Sequence, residues 1–336
     1  DYPRPDSEVA RLPPARVAGL RARADVLREI RRYFDEQGFL EVEPPTLVPA
    51  PGLEVNIKAL RAEGGYLITS PEFSMKRLLA AGLERIYATS RCFRAEEEGS
   101  QHSVEFTMLE WYRGWSDLDA IIGDIEQIVC RAAMAVRGLN AVLVGGREID
   151  LQPPWQRMTV AEAYQRWAGF QLTGKESSEE LAAKMEGAGI DCGALQAWDE
   201  LFYLSFVERI DPGLASVDHA LLLVDWPIAL AALAREKPGQ TEWALRFEAY
   251  VGGIELANAF DELTDARVQE TRFAEDLALR KQRGLEMYPM DQKFLAALRE
   301  GLPPSAGIAL GVDRLAMVVA GASDIRVVSA FVGDEL

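Results

Sequence analysis

Residues Arg91-Cys92-Phe93-Arg94-Ala95-Glu96-Glu97, followed after a short loop by His102-Ser103-Val104-Glu105-Phe106-Thr107-Met108-Leu109-Glu110-Trp111-Tyr112, decide the reading of this 336-residue chain. They join an arginine, an acidic loop and an alternating strand in one hairpin-sized unit. An arginine fork grips a phosphate through two parallel hydrogen bonds. Side chains alternate along a strand, so Phe106, Met108, Glu110 and Tyr112 share a face. That face offers a ring on which a base can stack, with carboxylate and phenol groups to hold a cation. A nucleotide and an amine fit side by side on such a surface.

Downstream, Arg246-Phe247-Glu248-Ala249-Tyr250-Val251-Gly252-Gly253-Ile254-Glu255-Leu256-Ala257-Asn258 reads as strand, glycine turn, strand. Glu248 and Glu255 flank the turn and are opposite or diagonal neighbours in the two favoured registers. Carboxylates so close repel unless a cation lies between them. Mg²⁺ held by one or two carboxylates and phosphate oxygens is the usual arrangement at nucleotide sites. Two solvated glutamates on an exposed sheet face have the same spacing. Asn258, Asp261, Glu262 and Asp265 follow at once. Glu262 supplies the carboxylate that a lysine-like substrate needs at the far end of its pocket. The competing reading is an acidic helix start favoured by the macrodipole, which suits Asp265 better than Glu262.

A third unit, Gly307-Ile308-Ala309-Leu310-Gly311-Val312-Asp313-Arg314, reads as a strand running into an apolar helix. Its glycines let the backbone approach a planar ligand. Arg314 then stacks on a base or grips terminal phosphates.

Between these units the periodicity predicts a helix from Val17 to Gln37 and a short strand at 39–43 stopped by Pro44-Pro45. Val55–Leu60 reads as extended. Ser70-Pro71-Glu72 opens a helix. An amphipathic helix covers 118–137, and further helices cover 266–284 and 292–300. Residues 1–15 read as an N-terminal arm and 16–336 as one catalytic domain, with a helical insertion at about 147–220.

Composition narrows the class. The hydrophobic fraction is 49% and the net charge −17. An acidic balance argues against a large RNA footprint, because phosphate contacts dominate such binding. Three widely spaced cysteines and two histidines make neither a disulfide framework nor a zinc site. With no signal peptide and no long apolar run, the expectation is a cytoplasmic protein without a membrane span.

The arginine hairpin resembles motif 2 of the class II aminoacyl-tRNA synthetases in their lysyl form. The third unit resembles motif 3, and the helix–strand–proline run of 17–45 resembles motif 1. With Thr69-Ser70-Pro71-Glu72, Met75-Lys76-Arg77-Leu78-Leu79 and Gly253–Asp265, the likeness covers almost the whole chain. In detail the chain more closely resembles the free-standing lysyl-tRNA synthetase paralogues that attach (R)-β-lysine to elongation factor P. The resemblance implies an α+β fold with an antiparallel sheet flanked by helices, and a homodimer through 17–45.

It also implies roles. Arg94 binds the α-phosphate of ATP, Glu96 the adenine amino group, and Phe106 stacks on adenine. His102, Ser103, Leu256, Gly311 and Arg314 complete the nucleotide site, and Glu248 and Glu255 hold Mg²⁺. Ser70, Pro71 and Glu72 surround the substrate amino group nearest the carboxylate. Tyr112 and Glu262 take the terminal ammonium, with Asn258 nearby. Ala309 stands where lysyl-tRNA synthetases have glycine, and one methyl discriminates by about 1–3 kcal/mol.

Two departures stand out. Ser103-Val104 replaces the family's Asn-Pro, and Ser100 stands where a basic residue is common. No anticodon-reading OB-fold fits before residue 17. The implied activity is ATP-dependent acyl transfer to a protein lysine, with tRNA an unlikely partner. A truncated lysyl-tRNA synthetase and a non-catalytic regulatory paralogue are the alternatives.

Overall fold

A computed structural model describes residues 12–331. Most of the expected N-terminal arm therefore lies outside the described residues, and the first helix begins at Pro14. Helix α1 (Pro14–Glu36) buries Ala22, Val26, Ile30, Tyr33 and Phe34 along one stripe. Strand β1 (Leu40–Glu41) and a two-residue strand at Leu47–Val48 follow, and then a loop through the residues expected to be extended, with turns at 55–56 and no further strand before Arg61. Helix α2 (Glu72–Ala80) leads into strands β2 (Arg85–Phe93) and β3 (Glu105–Gly114), joined by the acidic loop. Helix α3 (Leu118–Arg137) has Asp117 as its N-cap and Gly138 in the left-handed conformation at its C-terminus.

The stretch 147–220 is less helical than its periodicity predicts. A small strand at Arg147–Asp150 and strand β4 (Gln156–Thr159) come first. Both are too short for a period-2 pattern to register. Helical segments then run from Val160 to Ala215, including α4 (Ser178–Gly187) and α5 (Trp198–Ser205). They bury a core of their own, in which Tyr164, Phe202 and Phe206 meet Trp226 and Tyr250 of the main sheet.

Strands β5 (Leu221–Pro227), β6 (Gln240–Val251) and β7 (Ile254–Asp261) precede helices α6 (Ala266–Gln282) and α7 (Gln292–Gly301). Strand β8 (Ser305–Gly311) and helix α8 (Val312–Ala320) close the fold. The main sheet runs β1-β2-β3-β8-β7-β6-β5-β4, with a short Glu236–Lys237 strand also pairing β6. It is antiparallel except at its two ends, where β1 pairs with β2 and β4 with β5 in parallel. This is the α+β architecture expected.

One face of the sheet packs on α1, α3 and α8 in the largest core, which includes Phe34, Trp111, Ile125, Phe247 and Leu315. Buried Asp124 ties that side together. It accepts from Tyr33 at 2.5 Å, from Trp111 Nε1 at 3.0 Å and from Arg113 through two bonds of 2.7 Å. A charge taken from water needs such a set of partners. The opposite face carries the site, framed by α2, α6 and α7, whose Met75, Phe273 and Phe294 share a second core with Tyr112.

Candidate active site

The register sets out the site. Tyr112, Gly307, Phe260 and Arg246 align across β3, β8, β7 and β6. The next row on the same face is Glu110, Ala309, Asn258 and Glu248. A β-bulge then inserts one residue. Ala249 pairs with Ala257 but Tyr250 with Glu255, leaving Leu256 as the extra residue. The bulge shifts the side-chain parity, so Glu255 and Asn258, three apart, share a face. Glu248 and Glu255 are thus diagonal neighbours, one of the two registers expected.

Above these rows lies a cleft of about 550 Å³, within the range of small-ligand sites. Ser70, Glu72 and Tyr112 line its closed end with Asn258, Glu262 and Ala309. Arg94, His102, Ser103 and Phe106 line the other end with Glu255, Leu256, Gly311 and Arg314. Three expected residues do not line it. Pro71 is buried at the start of α2. Glu96 adopts φ 66°, which turns its side chain outward to Lys58 at 2.5 Å, and Glu97 faces the cleft instead. Glu248 is buried behind the wall, its carboxylate taken by Arg246 and by the Tyr250 hydroxyl.

The other end carries two arginines, Arg94 and Arg314. The Arg94 guanidinium sits 5.2 Å from the centre of the Phe106 ring, and its Nε is buried without a hydrogen-bond partner. An orphaned N–H of this kind fits an anion. Arg314 donates to the Glu255 backbone oxygen at 2.9 Å and to Glu255 Oε2 at 3.2 Å, and contacts His102 Nε2. Arg314 can only donate, so His102 Nε2 is the acceptor, and burial and the Arg314 charge lower the His102 pKa. Asp313 takes the Thr107 backbone N–H at 2.6 Å and Arg23 Nε at 3.0 Å, which fastens β3 to the start of α8.

Glu255 faces the cleft, and one carboxylate completed by phosphate oxygens suits Mg²⁺. Glu248 lies one diagonal step behind. Burial and the Glu255 charge push its pKa up to about 7, a repulsion that a cation beside Glu255 relieves. The donor set therefore fits a nucleotide-bound Mg²⁺ through Glu255. Among the described residues no group of three or more His, Cys, Asp or Glu is placed to hold a metal alone.

The closed end is acidic. The Ser70 hydroxyl donates to Glu110 Oε1, and the Tyr112 hydroxyl to Glu110 Oε2 at 3.1 Å. Burial, then the Glu72 charge, push the Glu110 pKa up to about 8. Burial pushes Glu262 up to about 8 as well, although the Lys76 charge pulls it down. The Lys76 ammonium, buried beneath both, donates to Glu72 Oε1 at 2.5 Å and contacts Glu262. Glu262 Oε1 has no hydrogen-bond partner.

Several lining residues are not among the site residues named from the sequence, and Glu110 entered that reading only as the carboxylate of the face expected to hold a cation. Glu110 had a signal, since it shares the parity of Phe106 and Tyr112. Glu54, Tyr203 of α5 and Asp276 of α6 reach the cleft from segments far apart in sequence and have none.

A mixed sheet carrying an arginine hairpin, a carboxylate hairpin and a glycine strand ending in arginine defines a class II synthetase catalytic core. The family model for class II tRNA synthetases (D, K and N) matches residues 13–335, and the chain belongs to that family. It is 37% identical to an elongation factor P–(R)-β-lysine ligase of Klebsiella pneumoniae (strain 342), covering 96% of this chain and 97% of that protein. The corresponding ligase of Histophilus somni (strain 2336) is 36% identical over 95% of this chain and 96% of its own length. A lysine–tRNA ligase of Chloroflexus aurantiacus is 34% identical over 93% of this chain. The chain spans 64% of that relative's length.

Proposed function

We propose that this protein activates (R)-β-lysine with ATP and transfers it to a lysine side chain of elongation factor P. The observation that carries the reading is the charge balance of the closed end. Glu72, Glu110 and Glu262 oppose a single internal ammonium, Lys76. With all three ionised two negative charges remain, matching the two ammonium groups of a diamino acid whose binding favours the ionised forms. Ligase relatives matched over nearly their whole length support β-lysine and a protein acceptor. The lysine–tRNA ligase relatives support a second reading, activation of L-lysine, which the experiment below separates.

In the first step the substrate carboxylate, ionised at neutral pH, attacks the α-phosphorus without a base. Arg94 holds the α-phosphate and stabilises its developing charge. Phe106 and Arg314 hold the nucleotide, and Glu72, Glu110 and Glu262 hold the diamino chain. Glu255, with Glu248 behind it, would hold a nucleotide-bound Mg²⁺, which would supply charge stabilisation at the phosphates. In the second step the acceptor amine attacks the acyl-adenylate and AMP leaves. A cytoplasmic homodimer through α1 and β1 belongs to the same reading. No helix among the described residues is long and apolar enough to cross a membrane.

The test is ATP–pyrophosphate exchange with (R)-β-lysine and L-lysine in parallel, followed by transfer to elongation factor P. Preference for (R)-β-lysine with transfer is the expected result. Preference for L-lysine shifts the reading to lysyl transfer, and exchange with neither by folded protein refutes it.

A further inference from the structure

We infer that Glu54 is the general base of the second step, with Asp276 positioned to keep it basic; this rests on the acyl-transfer reading above. Glu54 belongs to the loop between the small strands Leu47–Val48 and Arg61–Ala62 and Asp276 to α6, and both line the cleft. The charged groups around Glu54 include Glu72, Arg94 and Lys76, the Arg280 guanidinium on its backbone oxygen at 3.0 Å, and Asp276, with which it shares a mutual repulsion. Glu72 faces the substrate amino group nearest the carboxylate and Arg94 the α-phosphate. On that reading the acyl carbonyl of an adenylate lies between those two groups, and Glu54 lines the same cleft within reach of both charges. Its Oε2 is buried and has no hydrogen-bond partner, a cost that an incoming ammonium removes.

The chemistry requires such a group. A lysine ammonium keeps its proton to about pH 10.4 and is no nucleophile until it loses it. Arg94 and Arg314 cannot accept a proton, and His102 Nε2 is engaged by Arg314. Burial and then Glu72 raise the Glu54 pKa. Burial and then the Glu54 and Glu275 charges push Asp276 up to about 7, against Arg280 and Arg272. Bases near the working pH are the effective ones.

The acceptor ammonium gives one proton to Glu54, and its lone pair forms the C–N bond at the acyl carbon. The C–O bond to AMP breaks with its electron pair on the phosphate oxygen. The second nitrogen proton passes to that phosphate.

The experiment measures pyrophosphate exchange, then single-turnover transfer from the enzyme-bound adenylate to elongation factor P or to hydroxylamine, which is already uncharged at neutral pH. Glu54→Gln is expected to lower transfer to elongation factor P about 100-fold more than it lowers exchange. Transfer to hydroxylamine falls no further than exchange. Asp276→Asn moves the rising limb of the transfer–pH profile to lower pH, because removing a neighbouring negative charge lowers the Glu54 pKa. Equal losses in exchange and transfer make Glu54 a substrate-binding group and overturn the inference. Undiminished transfer overturns it too, leaving the departing phosphate as the base. Wild-type protein that exchanges with neither diamino acid sinks the function itself, and this step with it.

Discussion

The Lys76 ammonium lies against the Glu262 carboxylate, and both side chains are 1% exposed. A second carboxylate, Glu72, takes the same ammonium at 2.5 Å. Lys76 is therefore an internal counter-ion that holds two pocket carboxylates together before any substrate arrives. Lys76→Met leaves both uncompensated, and breaking a buried pair from one side costs about 3–5 kcal/mol. Urea denaturation of Lys76→Met should show a loss of that order. The double variant Lys76→Met/Glu262→Gln should recover part of it. A loss under about 1 kcal/mol contradicts the counter-ion role.

Glu110 gives the pocket a pH dependence of known sign. Its folded pKa, about 8, lies above the ordinary glutamate value of 4.5. Between those values the folded state binds the extra proton, so stability falls as pH rises. The wild-type denaturation midpoint should drop from pH 5.5 to pH 8.5, and Glu110→Gln should drop less. A variant with the wild-type slope rules Glu110 out as a source. A bound diamino substrate should stabilise the protein more at pH 8.5, where no carboxyl proton has to be displaced.

Much of this site was legible because its parts are local. Alternation brought Phe106, Glu110 and Tyr112 to one face, and the glycine turn set Glu248 beside Glu255 within one diagonal step. What the sequence hid is non-local or bulged. The parity shift at Leu256 adds no distinctive residue, so the burial of Glu248 behind Arg246 and Tyr250 could not be read from spacing. The left-handed Glu96 exchanged places with Glu97 because an acidic run leaves no pattern to separate them. Arg147–Asp150 and Gln156–Thr159 were lost within a helical stretch for want of length.

Arg94 combines a buried, unpartnered Nε with a place at the nucleotide end of the cleft. Arg94→Ala should lower pyrophosphate exchange by about 10²-fold or more, the scale for loss of one preorganised donor to a developing charge. Circular dichroism should remain that of the parent, since Arg94 is half-buried and no core side chain depends on it. Exchange within a few-fold of the parent removes Arg94 from the α-phosphate.

Gly307 is required by close approach. A Cβ there meets the Tyr112 ring and comes within 2.6 Å of Glu262 Oε1. Both neighbours are buried and have little room to yield. Gly307→Ala should therefore raise KM for the diamino substrate by tenfold or more, with a far smaller effect on KM for ATP. Equal changes in both would mean that the whole sheet had shifted, which a thermal midpoint several degrees lower would reveal.

Ala309 presents the opposite case, a methyl where the resemblance to lysyl-tRNA synthetases places their glycine. It stands in the row between Glu110 and Asn258, beside the carboxylate that meets a substrate ammonium. An α-amino group and a β-amino group differ by one carbon in their distance from the reacting carboxylate, so the methyl meets them unequally. Ala309→Gly should raise exchange with L-lysine relative to (R)-β-lysine by roughly tenfold, the low end of what one methyl discriminates. The ratio is the informative quantity, because Ala309 also packs with Ile68, Cys92 and Met108, and its loss can slow both substrates. Two rates that fall together would assign the methyl to packing and return the choice of substrate to the carboxylates around it.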